Sequence, residues 1–226
     1  MTGLQRWPGR YTDRHGSQEV VFETDGRELI RTTIRGVLFE GDSMDTLGAP
    51  AGEPPAAMFR LHDGDLRSCL LEWELPLPVE FTGQDVRTGV LHCALRLPDP
   101  AAVRGPDGES LVLTLRLDGR EYGSADDCGD FENGLYTIQH ELPPGARLKA
   151  CIACAWSDYN PVGHGLMAGL ACFRDVKARY RQVDGKPGPR GIFAIWRAHT
   201  ELVQETWLCD QFEPRSAHTG YRGPFP

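Results

Sequence analysis

Long apolar runs and an excess of basic residues are both missing from this sequence of 226 residues. No apolar run approaches the roughly 18 residues that a membrane-spanning helix needs, and the first 16 residues lack the apolar core of a signal peptide. Basic side chains number 24 against 32 acidic ones, for a net charge of −8, which disfavours binding to phosphate backbones and anionic lipids. We therefore expect a cytoplasmic protein that binds neither nucleic acid nor membrane.

Common catalytic motifs are also missing. The sequence has no G-x-S-x-G elbow, no phosphate-binding loop with G-K-[ST], no dinucleotide glycine pattern and no H-E-x-x-H helix. A catalytic site would have to be assembled from dispersed groups such as Asp158, His164 and Glu205. The sequence therefore favours a protein that is not an enzyme, without deciding the question.

What is present is a repeated β pattern. Apolar side chains alternate with polar ones over residues 69–81, 90–97 and 111–117, and two β-branched runs flank Asp25-Gly26 within residues 18–40. Three consecutive segments with one apolar face each are typical of antiparallel sheets, and Asp-Gly between strands is typical of a hairpin. We predict a mainly β fold, an antiparallel β-sandwich of roughly seven to nine strands.

The chain is expected to form a single domain over residues 1–226. Strands of the sandwich would occupy residues 18–142, including a strand at 135–142 that forms a hairpin with 146–156. A region containing several cysteines would follow at 146–212, with the one α-helix at 173–183, where apolar residues recur at steps of three and four. Residues 213–226 are expected to be an irregular tail.

Four of the seven cysteines are spaced like zinc ligands. Cys151 and Cys154 form a C-x-x-C pair, and Cys172 and Cys209 follow it. A two-residue spacer lets both thiolates of a pair reach one ion, and zinc prefers four such ligands at tetrahedral corners. In a reducing compartment, cysteines are better explained as thiols or metal ligands than as disulfides. The sequence predicts a structural zinc site made by Cys151, Cys154, Cys172 and Cys209.

Alternative roles for these cysteines stay open. They could be buried thiols without a metal, or Cys151 and Cys154 could be a redox pair, although such pairs usually begin a helix. His164 could replace one thiolate, which would give a mixed site.

Polar residues near the cysteines are candidates for binding. The segment after Cys154 contains Asp158, Tyr159 and His164, the kind of polar set that functional loops carry. Arg174, Glu205 and Arg222 flank the cysteines and would orient loops or hold an anionic ligand, unless they form plain salt bridges. Three groups of acidic loop residues could chelate calcium, although solvated loops account for them as well: Asp42 and Asp45; Asp63 and Asp65; Asp126, Asp127, Asp130 and Glu132.

Residues 151–177, 203–209 and 220–223 resemble an uncharacterised bacterial family, a domain of unknown function frequent in actinomycetes. The similar features are a C-x-x-C, an SDY-x-P stretch, a Cys-Phe-Arg ahead of a helix and a VQET-x-x-C segment. The resemblance implies no activity, and it supports the four cysteines as one cluster.

Together these observations predict a noncatalytic, zinc-stabilised binding module whose partner is a protein or a small polar ligand. A metal-dependent enzyme with His164 or Glu205 as base, and a thiol-based redox sensor, are the alternatives. The oligomeric state is left open.

Overall fold

The computed structural model describes residues 3–49, 57–83, 85–100, 108–123, 126–216 and 222–226. Strand accounts for 43% and helix for 14% of the structure, and the pairings between its named strands are all antiparallel. The prediction of a mainly β, antiparallel fold is confirmed. No described helix is long and apolar enough to cross a membrane.

The described strands, in chain order, are β1 (Gln5–Asp13), β2 (Gly16–Thr24), β3 (Ile30–Ile34), β4 (Val37–Gly41), β5 (Arg60–His62), β6 (Asp65–Arg67), β7 (Cys69–Glu80), β8 (Val86–Leu97), β9 (Ser110–Leu117), β10 (Arg120–Gly123), β11 (Arg147–Leu148), β12 (Ser157–Tyr159), β13 (Leu170–Cys172) and β14 (Glu201–Val203). The α-helices are α1 (Phe131–Glu141), α2 (Lys177–Tyr180) and α3 (Ile192–Ile195), with 3-10 turns at Cys151–Ala153, Arg174–Val176 and Trp196–Ala198.

One large sheet dominates the described part of the chain. Its strands lie in the order β10-β9-β8-β7-β1-β2-β3-β4, and β11 adds a short ninth strand beside β7. A separate sheet of three short strands has the order β12-β13-β14, and β5 pairs with β6. Most described strands thus belong to a single sheet and are not divided between two layers of similar size.

The three alternating segments form the centre of the large sheet. β7 pairs with β8 over its full length, and β8 pairs with β9. Pro76 and Pro78 lie in β7 where no named strand pairs with its other edge: β1 pairs with it only as far as Trp73, and β11 begins at Val79. The carbonyl of Pro78 still accepts a hydrogen bond from the N–H of Lys149 at 2.9 Å, and a proline at a strand edge is tolerated because it loses only a donor.

Alternation places one face of the large sheet in the core. Every second residue of β7, from Cys69 to Val79, is buried, while the residues between them are at least partly exposed. Helix α1 covers part of the buried face, where the rings of Phe131 and Trp73 lie 6.2 Å apart. Burial of such aromatic side chains is a main source of stability for the sheet.

Residues 135–141 belong to helix α1, so the predicted strand at 135–142 and its hairpin with 146–156 are wrong. Helix α1 begins after Asp130, whose carboxylate accepts a hydrogen bond from the backbone N–H of Asn133, a typical N-cap. Phe131, Leu135 and Ile138 are buried at helical spacing. The segment 135–142 alternates like a strand when it is considered alone. The residues that indicate a helix, Asp130 as N-cap and Phe131 as the first buried position, precede it.

The predicted helix at 173–183 is much shorter in the structure, and it is not the only helix. A 3-10 turn covers Arg174–Val176, and α2 covers only Lys177–Tyr180. Val176 lies at φ −129° and ψ 33°, outside helical geometry, which separates the two turns. Although the helix is interrupted, Phe173 and Tyr180 are still in contact, with their rings stacked 5.0 Å apart.

Distant parts of the chain meet at the turn between β2 and β3. The backbone N–H of Gln204 donates to the carbonyl of Gly26 at 3.0 Å, and the side-chain amide of Gln204 donates to the hydroxyl of Thr24 at 2.7 Å. Gly26 adopts a positive φ of 76°, and a Cβ there would lie 2.0 Å from the ring of Trp207. This contact joins the large sheet to the cysteine region.

Candidate functional site

Cys151 and Cys154 lie in one tight turn. The 3-10 turn Cys151–Ala153 is closed by a hydrogen bond from the backbone N–H of Cys154 to the carbonyl of Cys151, at 3.0 Å. The N–H of Cys151 donates to the carbonyl of Trp207 at 2.6 Å. Cys154 also forms a bridge with Pro214. The pair is thus held against the segment that contains the fourth cysteine.

Cys172 and Cys209 reach the same region from two other elements. Cys172 ends β13, between Ser157 of β12 and Glu201 of β14. Cys209 follows Trp207 and is partly exposed, and its carbonyl accepts a hydrogen bond from the N–H of Phe212. All seven cysteines of the chain are free thiols.

The four thiols are close enough to influence one another. Burial raises the pKa of the Cys151 thiol, and negative charge on Cys154, Cys172 or Cys209 raises it further. We call Cys151, Cys154, Cys172 and Cys209 the thiol cluster. As the side chains stand, no group of three or more His, Cys, Asp or Glu in the described ranges is arranged to hold a metal ion.

A positive charge lies beside the thiol cluster. Nη1 of Arg174 contacts Sγ of Cys172 at 3.6 Å and forms an ion pair with Glu201. Nε of Arg27 contacts the other oxygen of Glu201 at 2.5 Å. The guanidinium of Arg174 is therefore held in place by Glu201. Burial raises the pKa of the Cys172 thiol, and the positive charge of Arg174 acts in the opposite direction.

Tyr159 and Glu205 form a second, separate group. The hydroxyl of Tyr159 donates to Oε1 of Glu205 at 3.1 Å, and Oε2 of this completely buried carboxyl group has no hydrogen-bond partner. Burial raises the pKa of Glu205 to about 8. A neutral carboxyl group is favoured here because an anion would lose its hydration.

Arg222 joins this group to helix α1. Its guanidinium forms an ion pair with Glu132, donates to the carbonyl of Ser157 at 3.3 Å and lies 3.8 Å from Oδ1 of Asp158. The hydroxyl of Tyr180 donates to Oδ2 of Asp158 at 3.1 Å. The Arg222 guanidinium also lies 5.1 Å from the centre of the Tyr159 ring.

His164 is exposed and packs against Tyr159 of this second group. Its ring stacks on Tyr159 with the ring centres 4.0 Å apart, and Nδ1 lies 3.0 Å from the carbonyl of Gly165. The structure thus places Asp158, Tyr159, His164, Glu205 and Arg222 together, and Arg174 with the thiol cluster. Of these six candidates, His164 is the most accessible.

Two of the acidic pairs that were candidates for calcium lie close together. Asp42, Asp45 and Asp63 each raise the pKa of Asp65, whose burial raises it most, while Arg67 lowers it. Oδ1 of Asp45 accepts a hydrogen bond from the N–H of Leu166. This carboxylate therefore anchors the segment that follows His164.

Several residues of these groups were not expected from the sequence. Tyr180 is one of the apolar positions of the predicted helix at 173–183, yet its hydroxyl donates a hydrogen bond to Asp158. No sequence motif distinguishes Glu201, although its carboxylate accepts a hydrogen bond from Arg174 and orients it. Arg215 also had none, and it is buried beside the turn of Cys151 and Cys154, where its N–H donates to the carbonyl of Ala153. Isolated charged residues reveal their partners only in three dimensions.

Residues 5–157 match the model of a family described as a family of unknown function, DUF6304. The chain belongs to this family. The matched segment of the DUF6304 protein contains the large sheet, helix α1 and the first two cysteines of the thiol cluster. No curated protein and no solved structure matches the chain.

Proposed function

We propose that this DUF6304 protein is a noncatalytic binding module whose C-terminal third is stabilised by one zinc ion. The observation that carries the proposal is the thiol cluster: Cys151 and Cys154 share one turn, and Cys172 of β13 and Cys209 lie close enough for their charge to raise the pKa of Cys151. The C-x-x-C spacing, the tight turn and the neighbouring Arg174 all fit a thiolate site.

The chemistry of the four donors suits zinc. Thiolates are the ligands zinc prefers in closed structural sites, and a bound cation would offset the cost of ionising thiols whose pKa burial has raised. Binding requires the thiol side chains to rotate toward a common centre, because they are not in ligand geometry as they stand. Cys209, which is partly exposed, provides the entry side.

A zinc ion held by four thiolates has no open coordination position, so it would be structural. It would tie the turn at Cys151, the end of β13 and the segment after Trp207, which otherwise contains little regular structure. The partner, a protein or a small polar ligand, would bind at the loop around His164 and the tail at Arg222. The proposal keeps the antiparallel β-sandwich predicted from the sequence, with its strands within residues 18–142.

The test is elemental analysis of protein purified without chelator. We expect about one zinc ion per chain, lost in both Cys151→Ser and Cys209→Ser, together with a lower melting temperature. Cys93→Ser is the matched control, because Cys93 is a buried thiol of β8 far along the chain from the cluster. It should keep its zinc.

His164→Ala separates the two kinds of ligand set. Full retention of zinc in this variant supports four thiolates, and loss of zinc means that the imidazole is a ligand. Wild-type protein without metal, whose cluster thiols react freely with a thiol reagent, would overturn the zinc site. Metal bound equally by wild type and Cys151→Ser would overturn the assignment of its ligands.

A further inference from the structure

A cavity of about 480 Å³ lies between the loop after β7, strand β11 and the tail. Its volume is within the range of small-molecule sites in proteins. Much of its wall is apolar, and its charged side chains are those of Glu80, Arg147 and Arg215. Residues that define its character are Phe81, Thr82, Ala146, Arg147, Arg215 and Phe225.

Arg215 is a buried cation without a carboxylate partner among the described residues. Only 7% of this residue is exposed. Its guanidinium donates to the carbonyl of Ile152 and, at 3.4 Å, to the hydroxyl of Tyr136, and Nε has no partner. The ring of Phe225 lies 5.6 Å from the guanidinium carbon.

The charge of Arg215 lowers the pKa of Asp158 from a distance, but in the part of the chain that the structure describes its direct contacts are neutral groups, so no counter-ion touches the guanidinium. Burial and the positive charge of Arg222 lower the pKa of Arg215, yet a guanidinium stays protonated in proteins. A buried charge without a counter-ion is costly. An anion placed in the cavity would supply the missing counter-charge.

Arg147, in the same wall, is already paired. Its guanidinium forms an ion pair with Glu80, and Nζ of Lys149 lies 3.6 Å from the other oxygen of Glu80. Among the described residues, the cavity thus offers one cation without an ion-pair partner, Arg215, beside apolar side chains and a Glu80 carboxylate that is already paired. One cation matches a monoanion better than it matches a phosphate dianion.

We propose that this cavity binds a small organic acid, a monocarboxylate with an apolar or aromatic body. The carboxylate would lie beside the Arg215 guanidinium, whose planar donors suit carboxylate geometry. The apolar body would pack against Phe225 and the side of Phe81. This site is distinct from the loop at His164, and it rests on Arg215 and the cavity, not on zinc.

The experiment is calorimetric titration of the full chain with benzoate, phenylacetate and hexanoate. At least one of these acids should bind saturably, and the matching neutral amide, such as benzamide, should bind at least about tenfold more weakly, since it lacks the charge. Arg215→Lys keeps the charge but loses the fork of donors, and should weaken binding about tenfold. Arg10→Lys, at an exposed arginine of β1, is the matched control and should bind like wild type.

A second variant leaves Arg215 untouched. Thr82 is exposed and lines the cavity, so Thr82→Trp should obstruct it and abolish binding even if Arg215→Lys proves unstable. The proposal is overturned if none of the three acids binds up to millimolar concentration, or if acid and amide bind equally. It is also overturned if both variants bind like wild type, or if inorganic phosphate binds more tightly than the acids.

Discussion

The hydroxyl of Tyr159 donates a hydrogen bond to Oε1 of Glu205, while Oε2 of the same carboxyl group is buried without a partner. A carboxylate in this position would have one oxygen unsatisfied, whereas the protonated form loses far less hydration. The interior of the protein therefore holds an acid that is neutral over much of the physiological pH range.

Glu205 should make the protein less stable as pH rises. Its pKa is about 8 in the folded protein and about 4.3 in an unfolded chain, so folding takes up a proton between these values. The contribution is fully present below about pH 4 and is lost as pH rises through 8, amounting to about 2 kcal/mol between pH 6 and pH 8. Urea denaturation of Glu205→Gln should show a flatter pH dependence.

Glu121→Gln is the control for this experiment, since Glu121 is an exposed residue of β10. It should keep the wild-type pH dependence. An unchanged slope in Glu205→Gln would show that Glu205 titrates near its ordinary value in the folded protein.

Arg222→Met should destabilise the fold by about 3 kcal/mol. The substitution removes the cation from beside the buried carboxylate of Asp158 and the partly exposed carboxylate of Glu132, and a buried charge whose partner is removed is strongly destabilising. Arg120→Met, at an exposed arginine, should change the unfolding free energy by less than about 0.5 kcal/mol. Equal unfolding midpoints in urea for the two variants would contradict the role given to Arg222.

Gly26→Ala and Gly36→Ala form a matched pair in two turns of the same sheet. Both glycines adopt a positive φ, 76° and 80°, so alanine costs roughly 1 kcal/mol at each. Only at Gly26 would the new Cβ clash with Trp207, whereas nothing lies within 4 Å at Gly36. Gly26→Ala should therefore lose about 2 kcal/mol more, measured by chemical denaturation, and a similar loss in both would mean that Trp207 moves aside freely.

Arg174→Met should weaken zinc retention if the thiol cluster binds the metal. The guanidinium stabilises negative charge on Cys172, so its loss should shift competition with a colorimetric chelator by about tenfold. Arg179→Met, on the exposed side of α2, should release zinc like wild type. Identical release from both variants would remove Arg174 from the site.

The central strands could be predicted from the sequence because period-two burial is a local property. Over residues 69–80 each inward position of β7 is apolar, and the structure buries those positions. The hairpin at Asp25-Gly26 was visible for a similar reason, since the turn residues themselves require the geometry. Local patterns therefore identified the sheet.

Helix α1 was mistaken for a strand because two patterns overlap in its second half. The helical signal depends on Asp130 and Phe131, which precede the segment that alternates. The short helix at 177–180 was overestimated for the opposite reason: Phe173 and Tyr180 share a helical spacing, yet they meet by stacking across an interrupted backbone. The spacing of the apolar residues therefore predicted that Phe173 and Tyr180 are in contact, but it did not predict the interrupted backbone between them.

The sequence predicted only some of the candidate residues that lie together in the structure. Spacing led to the four cysteines, but the pairing of Arg222 with Glu132 joins positions that lie far apart in the chain. Arg215 has no sequence pattern, because what distinguishes it is burial with an Nε that has no hydrogen-bond partner among the described residues. Burial and hydrogen-bond partners depend on residues that are distant in the sequence, so a local sequence pattern cannot predict them.

The bonds between Gln204 and the turn at Thr24 and Gly26 also bear on biosynthesis. During translation, the turn between β2 and β3 is made about 175 residues before Gln204 and Trp207. Until then, the turn between β2 and β3 lacks the amide and the ring that cover it. Contacts between such distant positions form slowly. The turn between β2 and β3 therefore stays uncovered on the nascent chain until the C-terminal segment docks, and we expect chaperones to contact it during synthesis.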